Sequence, residues 1–208
     1  MKPGLIFAFV LAIGIAVAMY FSLFSDGPDR AAYARQIEKE RQEKDEFMRS
    51  GEGSPFLSDS IPFYGLNYFP PNMAFKVMAR LEPITQKDVR VLTTSDGQTK
   101  SYLPYAYAAF KLNGEEHRLL ILEVMDRGPF RGTLFLAFAD ATSAEETYGA
   151  GRYLDVKKVA GATLMPLDFN NAYNPYCAYN HRFSCPLPPK ENVLPVRIEA
   201  GEKNYLPD

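Results

Sequence analysis

The hydrophobic pattern changes character three times along the chain. Residues 5–24, LIFAFVLAIGIAVAMYFSLF, form an uncharged apolar run. At 1.5 Å per residue a helix of that length spans about 30 Å, the thickness of a bilayer's hydrocarbon core, so the run predicts a single-pass transmembrane anchor. Ala16, Val17 and Ala18 resemble a cleavage site, which keeps a cleaved signal peptide as the alternative. The run continues through Met19, Tyr20, Phe21, Leu23 and Phe24, however, which suits an uncleaved anchor better. A lipoprotein signal would need a cysteine just after it, and there is none.

SDGPD breaks this run. The next stretch, RAAYARQIEKERQEKDEFMRS, is rich in helix formers and poor in apolar residues until Phe47 and Met48. It predicts a solvated juxtamembrane helix over residues 28–50 whose end packs on the following domain. Asp29 is placed to cap it, and Glu40 and Lys44 form an i,i+4 pair in the favourable order.

From residue 51 the helical period disappears. SPFLSDSIPFYGLNYFPPN combines turn formers with aromatics and reads as an irregular segment wrapped on a core. Short alternating or apolar runs follow: AFKVMARLE, DVRVLTT, TKSYLPY, YAAFKL, EHRLLILEVM, GTLFLAFAD, ATLMPLDF and LPVRIEA. SDGQ and Asn113-Gly114 between neighbouring runs are hairpin signals. The continuous run GTLFLAFAD suits a central strand, and TSAEETYG, with Thr142 and Glu145 at capping-box spacing, predicts one helical turn. The expected fold is all-β, a sandwich or open barrel of short antiparallel strands, carried behind an N-terminal transmembrane helix and a juxtamembrane helix. The expected domains are 1–27 (anchor), 28–50 (helix) and 51–208 (soluble β-domain).

Composition narrows the function classes. The chain has 208 residues, 47% apolar and 23% charged, with a formal net charge of −2, so no bulk attraction to nucleic acid is expected. Gly4, Ala8, Ala12 and Ala16 recur every four residues, a spacing that lets a second transmembrane helix approach, or that simply reflects small-residue usage in such helices. Counting Lys2 against Arg30, Arg35 and Lys39 leans toward a cytoplasmic C-terminus. A short basic leader and two closely spaced cysteines favour the opposite, a periplasmic or extracytoplasmic domain.

The chain has no G-x-S-x-G, H-E-x-x-H, Walker or G-x-G-x-x-G motif, and no motif calls for a cofactor. His117 falls on the same strand face as Leu119 and Ile121 and reads as a core histidine. Cys177, His181 and Cys185 share an i, i+4, i+8 spacing, but Pro175 and Pro186 bracket them and make a loop the better reading. That loop holds either a Cys177–Cys185 disulfide, two packed thiols or, least favoured, a metal. In FADATSAEETYGAGRYLDV, Gly149 and Gly151 flank Ala150 before Arg152. Two glycines can turn successive N–H groups into an anion nest, with Arg152 as a bidentate anchor and Asp140, Asp155 or Asp168 orienting it. The competing reading buries Arg152 against an aspartate that ties sheet to loop.

Several of these stretches resemble one family. ETYGAGRYLD, LDFNNAYNPYCAY, CPLPPKENVLPV and IEAGEK, preceded by KDEFMRSGEGSPF and FYGLNYFPPN, are similar in order and content to the domain of unknown function 1684 family. The resemblance runs from about Tyr33 to Tyr205. It implies an exported or membrane-anchored bacterial protein and assigns no reaction. It also implies that Tyr148, Gly149, Gly151, Arg152 and Tyr153 of one motif are shared. Asp168, Asn170, Tyr173, Asn174, Pro175, Cys177 and Cys185 fall in the other, whereas His181 lies outside the pattern.

The sequence thus predicts a membrane-anchored β-domain binding a small polar or anionic ligand around Arg152. Its walls would come from Tyr148, Gly149, Gly151, Tyr153, Asp168, Asn170, Tyr173 and Asn174. Two alternatives are an accessory subunit of an envelope complex, held by the small-residue helix face, and a hydrolase or transferase. The latter would use Asp168 or Asp155 as base and Tyr148 or Tyr173 as proton donor.

Overall fold

The computed structural model describes residues 28–57, 61–126 and 128–205. The predicted anchor, including Gly4, Ala8, Ala12 and Ala16, lies outside the described residues. Within them no helix is long and apolar enough to cross a membrane. The chain divides into two compact units between Gln36 and Ile37, and the sheet and the site described below belong to the second, Ile37–Asp208.

Helix α1 (Pro28–Ser50) opens on a proline, whose missing N–H is no loss in a first turn, with Asp29 also in that turn. Toward its C-terminal end the helix buries Met48, which clusters with Phe56 and Tyr179. Phe56 gathers further rings around itself, with centroids 4.9 Å from Phe63, 5.1 Å from Tyr205 and 5.3 Å from Tyr179. The aromatic-rich segment after residue 54 therefore serves as packing for the helix end, where Phe47 stays 40% exposed.

The sheet comprises β1 (Lys76–Pro83), β2 (Arg90–Thr93), β3 (Thr99–Leu112), β4 (Glu115–Val124), β5 (Leu134–Phe138), β6 (Arg152–Leu154) and β7 (Leu164–Asp168). The order is β6-β5-β4-β3-β1-β7, every pairing is antiparallel, and β2 also pairs with β3. The domain is mostly β, a half-barrel sheet with one helix. Strand β3 organises it. One stretch, Thr99–Tyr102, pairs with β2, a later one, Ala106–Ala109, with β1, and most of the strand with β4.

The sequence pattern predicts two strands, TKSYLPY and YAAFKL, where the structure has the single strand β3. A register shift between Pro104 and Ala106 lets a single strand absorb the proline, with Tyr105 as the extra residue. The β3–β4 hairpin turns on Asn113 and Gly114 at φ +52° and +87°, the left-handed pair that a two-residue loop requires. Four consecutive residues of β4, Leu119 to Leu122, are buried. Leu119 and Ile121 join the main core with Ala108, Phe110, Leu136 and Phe138, while Leu120 and Leu122 pack with Leu92 and Tyr102 on the other face. His117 is half-buried against Phe110, ring centroids 5.8 Å apart.

Two sequence expectations change, and a third, the central strand in GTLFLAFAD, holds with a short pairing. Strand β5 is interior in the order, but pairs with β4 only at Leu122↔Phe135 and Glu123↔Leu134. Buried Asn192 fills the gap beyond, accepting from Leu120 N–H at 2.6 Å and donating to the carbonyls of Leu120 and Ala137 at 2.9 and 2.7 Å. LPVRIEA is not a strand. It follows the loop after β5 through isolated bonds, such as Leu194 N–H to the Ala139 carbonyl at 2.8 Å. TSAEETYG folds into turns rather than a helix, because the Thr142 hydroxyl goes to the buried Asp140 carboxylate at 2.6 Å and not to a cap.

Candidate functional site: a cavity beneath helix α1

Arg152 is not an accessible anion anchor. It is the largest side chain fully enclosed, paired with Asp140 at 2.8 Å, and both side chains have no exposure. The guanidinium also donates to the carbonyls of Ala200, Glu202 (3.1 Å) and Ile198 (2.9 Å). Asp140 in turn accepts from the Thr142 amide at 2.8 Å and the Ile198 amide at 3.2 Å. Burial lowers the pKa of Arg152, against the pull of Asp140. Five donors in a rigid fork suit this task of gathering several carbonyls at once. The glycines serve the same clip. Gly151 sits at φ +87°, where a Cβ would lie 2.6 Å from the Phe138 carbonyl oxygen, and its N–H donates to the Tyr148 carbonyl at 3.0 Å. Its amide is thus not offered to an anion, and Gly149 lies in the same turn against Ala144.

The cysteine loop also differs from the bridged form. Cys177 and Cys185 are free, buried thiols. They face one another across a short gap, the Cys177 amide donating to Cys185 Sγ at 3.2 Å. His181 is exposed, and among the described residues no group of three or more His, Cys, Asp or Glu could hold a metal ion. Tyr148 extends toward Cys177 Sγ at 3.8 Å, and burial pushes its phenol up to about 12. Tyr153 donates to the Pro186 carbonyl at 2.6 Å.

Two of the remaining predicted residues, but not Asp168 or Asn174, reach a cavity of about 350 Å³ between α1 and the segment that follows β7. Asn170 and Tyr173 line it. Asp168 caps the 3₁₀ turn Phe169–Asn171 by accepting from the Asn170 amide at 3.1 Å. The Asn170 side chain spans to the Asn72 backbone, accepting its amide at 2.7 Å and donating to its carbonyl at 2.8 Å. Tyr173 exchanges both backbone bonds with Tyr153 and donates its hydroxyl to Asp155 at 2.8 Å. Burial, then the neighbouring Asp155, raises the Tyr173 phenol far above its ordinary value, so it stays a neutral donor.

The charged floor was not foreseen. Glu202 is buried, accepts from the Tyr179 hydroxyl and from the Asn174 amide at 2.8 Å, and pairs with Lys44 at 2.6 Å. The Lys44 ammonium rests 4.4 Å from the centroid of the Tyr173 ring. One helical step away, Arg41 lies 4.4 Å over Tyr68 and donates to the carbonyls of Phe69 (2.8 Å) and Asn170 (3.2 Å). Residues i and i+3 share a helix face, so both cations meet the same cavity. The Tyr68 hydroxyl, on a residue that lines the cavity, is buried and has no partner among the described residues. The usable signal was the i,i+3 spacing of Arg41 and Lys44 and the presence of Lys44 and Glu202 in two of the shared stretches, KDEFMRSGEGSPF and IEAGEK.

Fold and site together define a mostly-β half-barrel domain with a polar cavity walled by one helix. The chain belongs to the family described as Protein of unknown function (DUF1684), whose model matches residues 62–203. It is similar to the solution NMR structure of an uncharacterized protein from Haloarcula marismortui, at 34% identity and a TM-score of 0.64, over 86% of this chain and 98% of that one. A search of curated proteins finds no match.

Proposed function

We propose that this chain is a membrane-anchored binding domain whose cavity beneath α1 takes a small polar ligand through an anionic group. The apolar run 5–24 supports the anchor, and the short basic leader with the family resemblance supports an extracytoplasmic domain. One observation carries the binding reading: Lys44 and Arg41 stand on one helix face over tyrosine rings, at a cavity of about 350 Å³. That volume falls in the usual range for a small-molecule site. Buried polar groups are normally paired, so the unpartnered Tyr68 hydroxyl at this cavity, a donor, also favours an accepting group from outside the chain. Binding is preferred to acid–base catalysis because burial drives the Tyr173 phenol away from the range useful for proton transfer near neutrality.

The test is calorimetric titration of the full chain with inorganic phosphate, acetate and succinate. At least one is expected to bind saturably, and Lys44→Met is expected to weaken it about tenfold or more, as for loss of a charged hydrogen bond. If none binds, or if binding ignores both Lys44→Met and Arg41→Met, the cavity is not an anion site.

A further inference from the structure

We propose that Cys177 and Cys185 form a peroxide-reactive dithiol, in which Cys177 attacks, Cys185 resolves, and a reversible disulfide closes behind the cavity wall. Separate tethers bring the two residues together. Cys177 lies in the 3₁₀ turn Tyr176–Ala178. Cys185 is fixed to the β2–β3 turn by reciprocal bonds, the Ser95 amide to its carbonyl at 2.8 Å and its own amide to Ser95 Oγ at 3.1 Å. The Cys177 amide reaches Cys185 Sγ at 3.2 Å, and each thiol has the other as a side-chain hydrogen-bond partner. Residues this close lie within the span that a disulfide bridges.

The pair is asymmetric. The Tyr148 hydroxyl stands 3.8 Å from Cys177 Sγ, and hydrogen bonds from Cys185, Ser95 and Tyr148 lower the Cys177 pKa against its burial. The contact with the Cys177 thiol, then burial, raises Cys185, and the Cys177 amide on Cys185 Sγ pulls it down less strongly. The thiolate is the nucleophile, so Cys177 reacts first. Both sulfurs are buried, which excludes bulky oxidants and selects one close to the size of water. Ser95, which Cys185 bonds, is exposed, and Ser184 just before Cys185 is half-buried.

In the first step the Cys177 thiolate attacks an oxygen of hydrogen peroxide. The O–O bond breaks, and hydroxide leaves and takes up the proton that the thiol had lost, so water and a sulfenic acid result. In the second step the Cys185 sulfur attacks the Cys177 sulfur. The S–O bond breaks, the S–S bond forms, and the hydroxyl leaves as water with the Cys185 proton. In sum, two thiols and one peroxide give one disulfide and two waters.

Folded full-length protein treated with hydrogen peroxide is expected to lose both titratable thiols together. Its intact mass should fall by two hydrogens, and digestion should yield a linked Cys177–Cys185 peptide that a dithiol reductant reverses. In Cys185→Ser the Cys177 sulfenic acid is expected to accumulate and to be trapped by dimedone, at severalfold the level trapped in Cys177→Ser. Should either variant not fold, intact mass and peptide mapping of the wild-type chain decide. The proposal is overturned if both thiols of the folded protein survive peroxide that oxidises the urea-unfolded chain, if oxygen is gained without a link, or if dimedone marks Cys185 in preference.

Discussion

Two ion pairs grip the same C-terminal segment in opposite ways. Arg152 and Asp140 are sealed, and the guanidinium spends its donors on the carbonyls of Ile198, Ala200 and Glu202. Lys44 grips the segment by the Glu202 side chain, from the rim of a cavity, with 28% of its own side chain exposed. A guanidinium with no exposure is out of a ligand's reach, even with its Nε unpartnered among the described residues. An ammonium with three rotatable donors, one carboxylate and a ring face retains capacity. The motif that looked most chemical, Gly149 to Tyr153, is therefore structural. The helix that looked like a spacer carries the cations of the candidate site.

The largest expected effect tests the sealed pair. Arg152→Met leaves Asp140 buried without its counter-charge and should cost about 3–5 kcal/mol in urea unfolding. Adding Asp140→Leu should recover part of that loss, because no lone charge then remains buried. A cost for Arg152→Met below about 1 kcal/mol, typical of exposed pairs, would erase the contrast. The open pair should respond less. Lys44→Met is expected to cost about 1.5 kcal/mol in the same assay, the low end for a hydrogen bond to a charged group. Equal costs for the two variants would make both pairs structural.

The smallest effect sharpens the electrostatics around Glu202. Burial, with a lesser push from Glu202, raises the Asp45 carboxyl above its ordinary value of 3.8. The folded state then holds this proton more tightly than the unfolded chain does, so stability is lost as pH rises through the folded value. Asp45→Asn is expected to raise Tm slightly at pH 7. The gain should vanish below about pH 4, where both states are protonated. A gain that persists in acid would have another origin than the carboxylate.

Legibility followed the range of the interaction. Asn113-Gly114 could be read from sequence because its two positive φ angles are a local demand. The buried run in β4 could be read because both faces of that strand are covered, which leaves an unbroken apolar string. The single long β3 could not, since a proline inside a strand reads as a break until a bulge accommodates it. LPVRIEA has a strand's composition, but Arg152 holds its end through the Ile198 and Ala200 carbonyls, and no ladder forms there. Among candidate residues, Asn170 and Tyr173 do reach a cavity, whereas Arg152 and Tyr153 support it from behind, through the Glu202 carbonyl and the Tyr173 backbone.

By itself the sequence determined the helix at 28–50, the principal hairpin, the predominance of short antiparallel strands and the family. Propensity, turn chirality and alternation act over a few residues, and the shared stretches are continuous in the chain. Only the tertiary structure decided which polar groups are spent and which remain available. Lys44 and Glu202 come from opposite ends of the domain, and Arg41 and the Asn170 carbonyl are 129 residues apart in the chain. Whether a charge is sealed like Arg152 or stands at a cavity like Lys44 depends on what distant segments place around it. That placement sets both the desolvation and the number of partners, and neither is written in the local pattern.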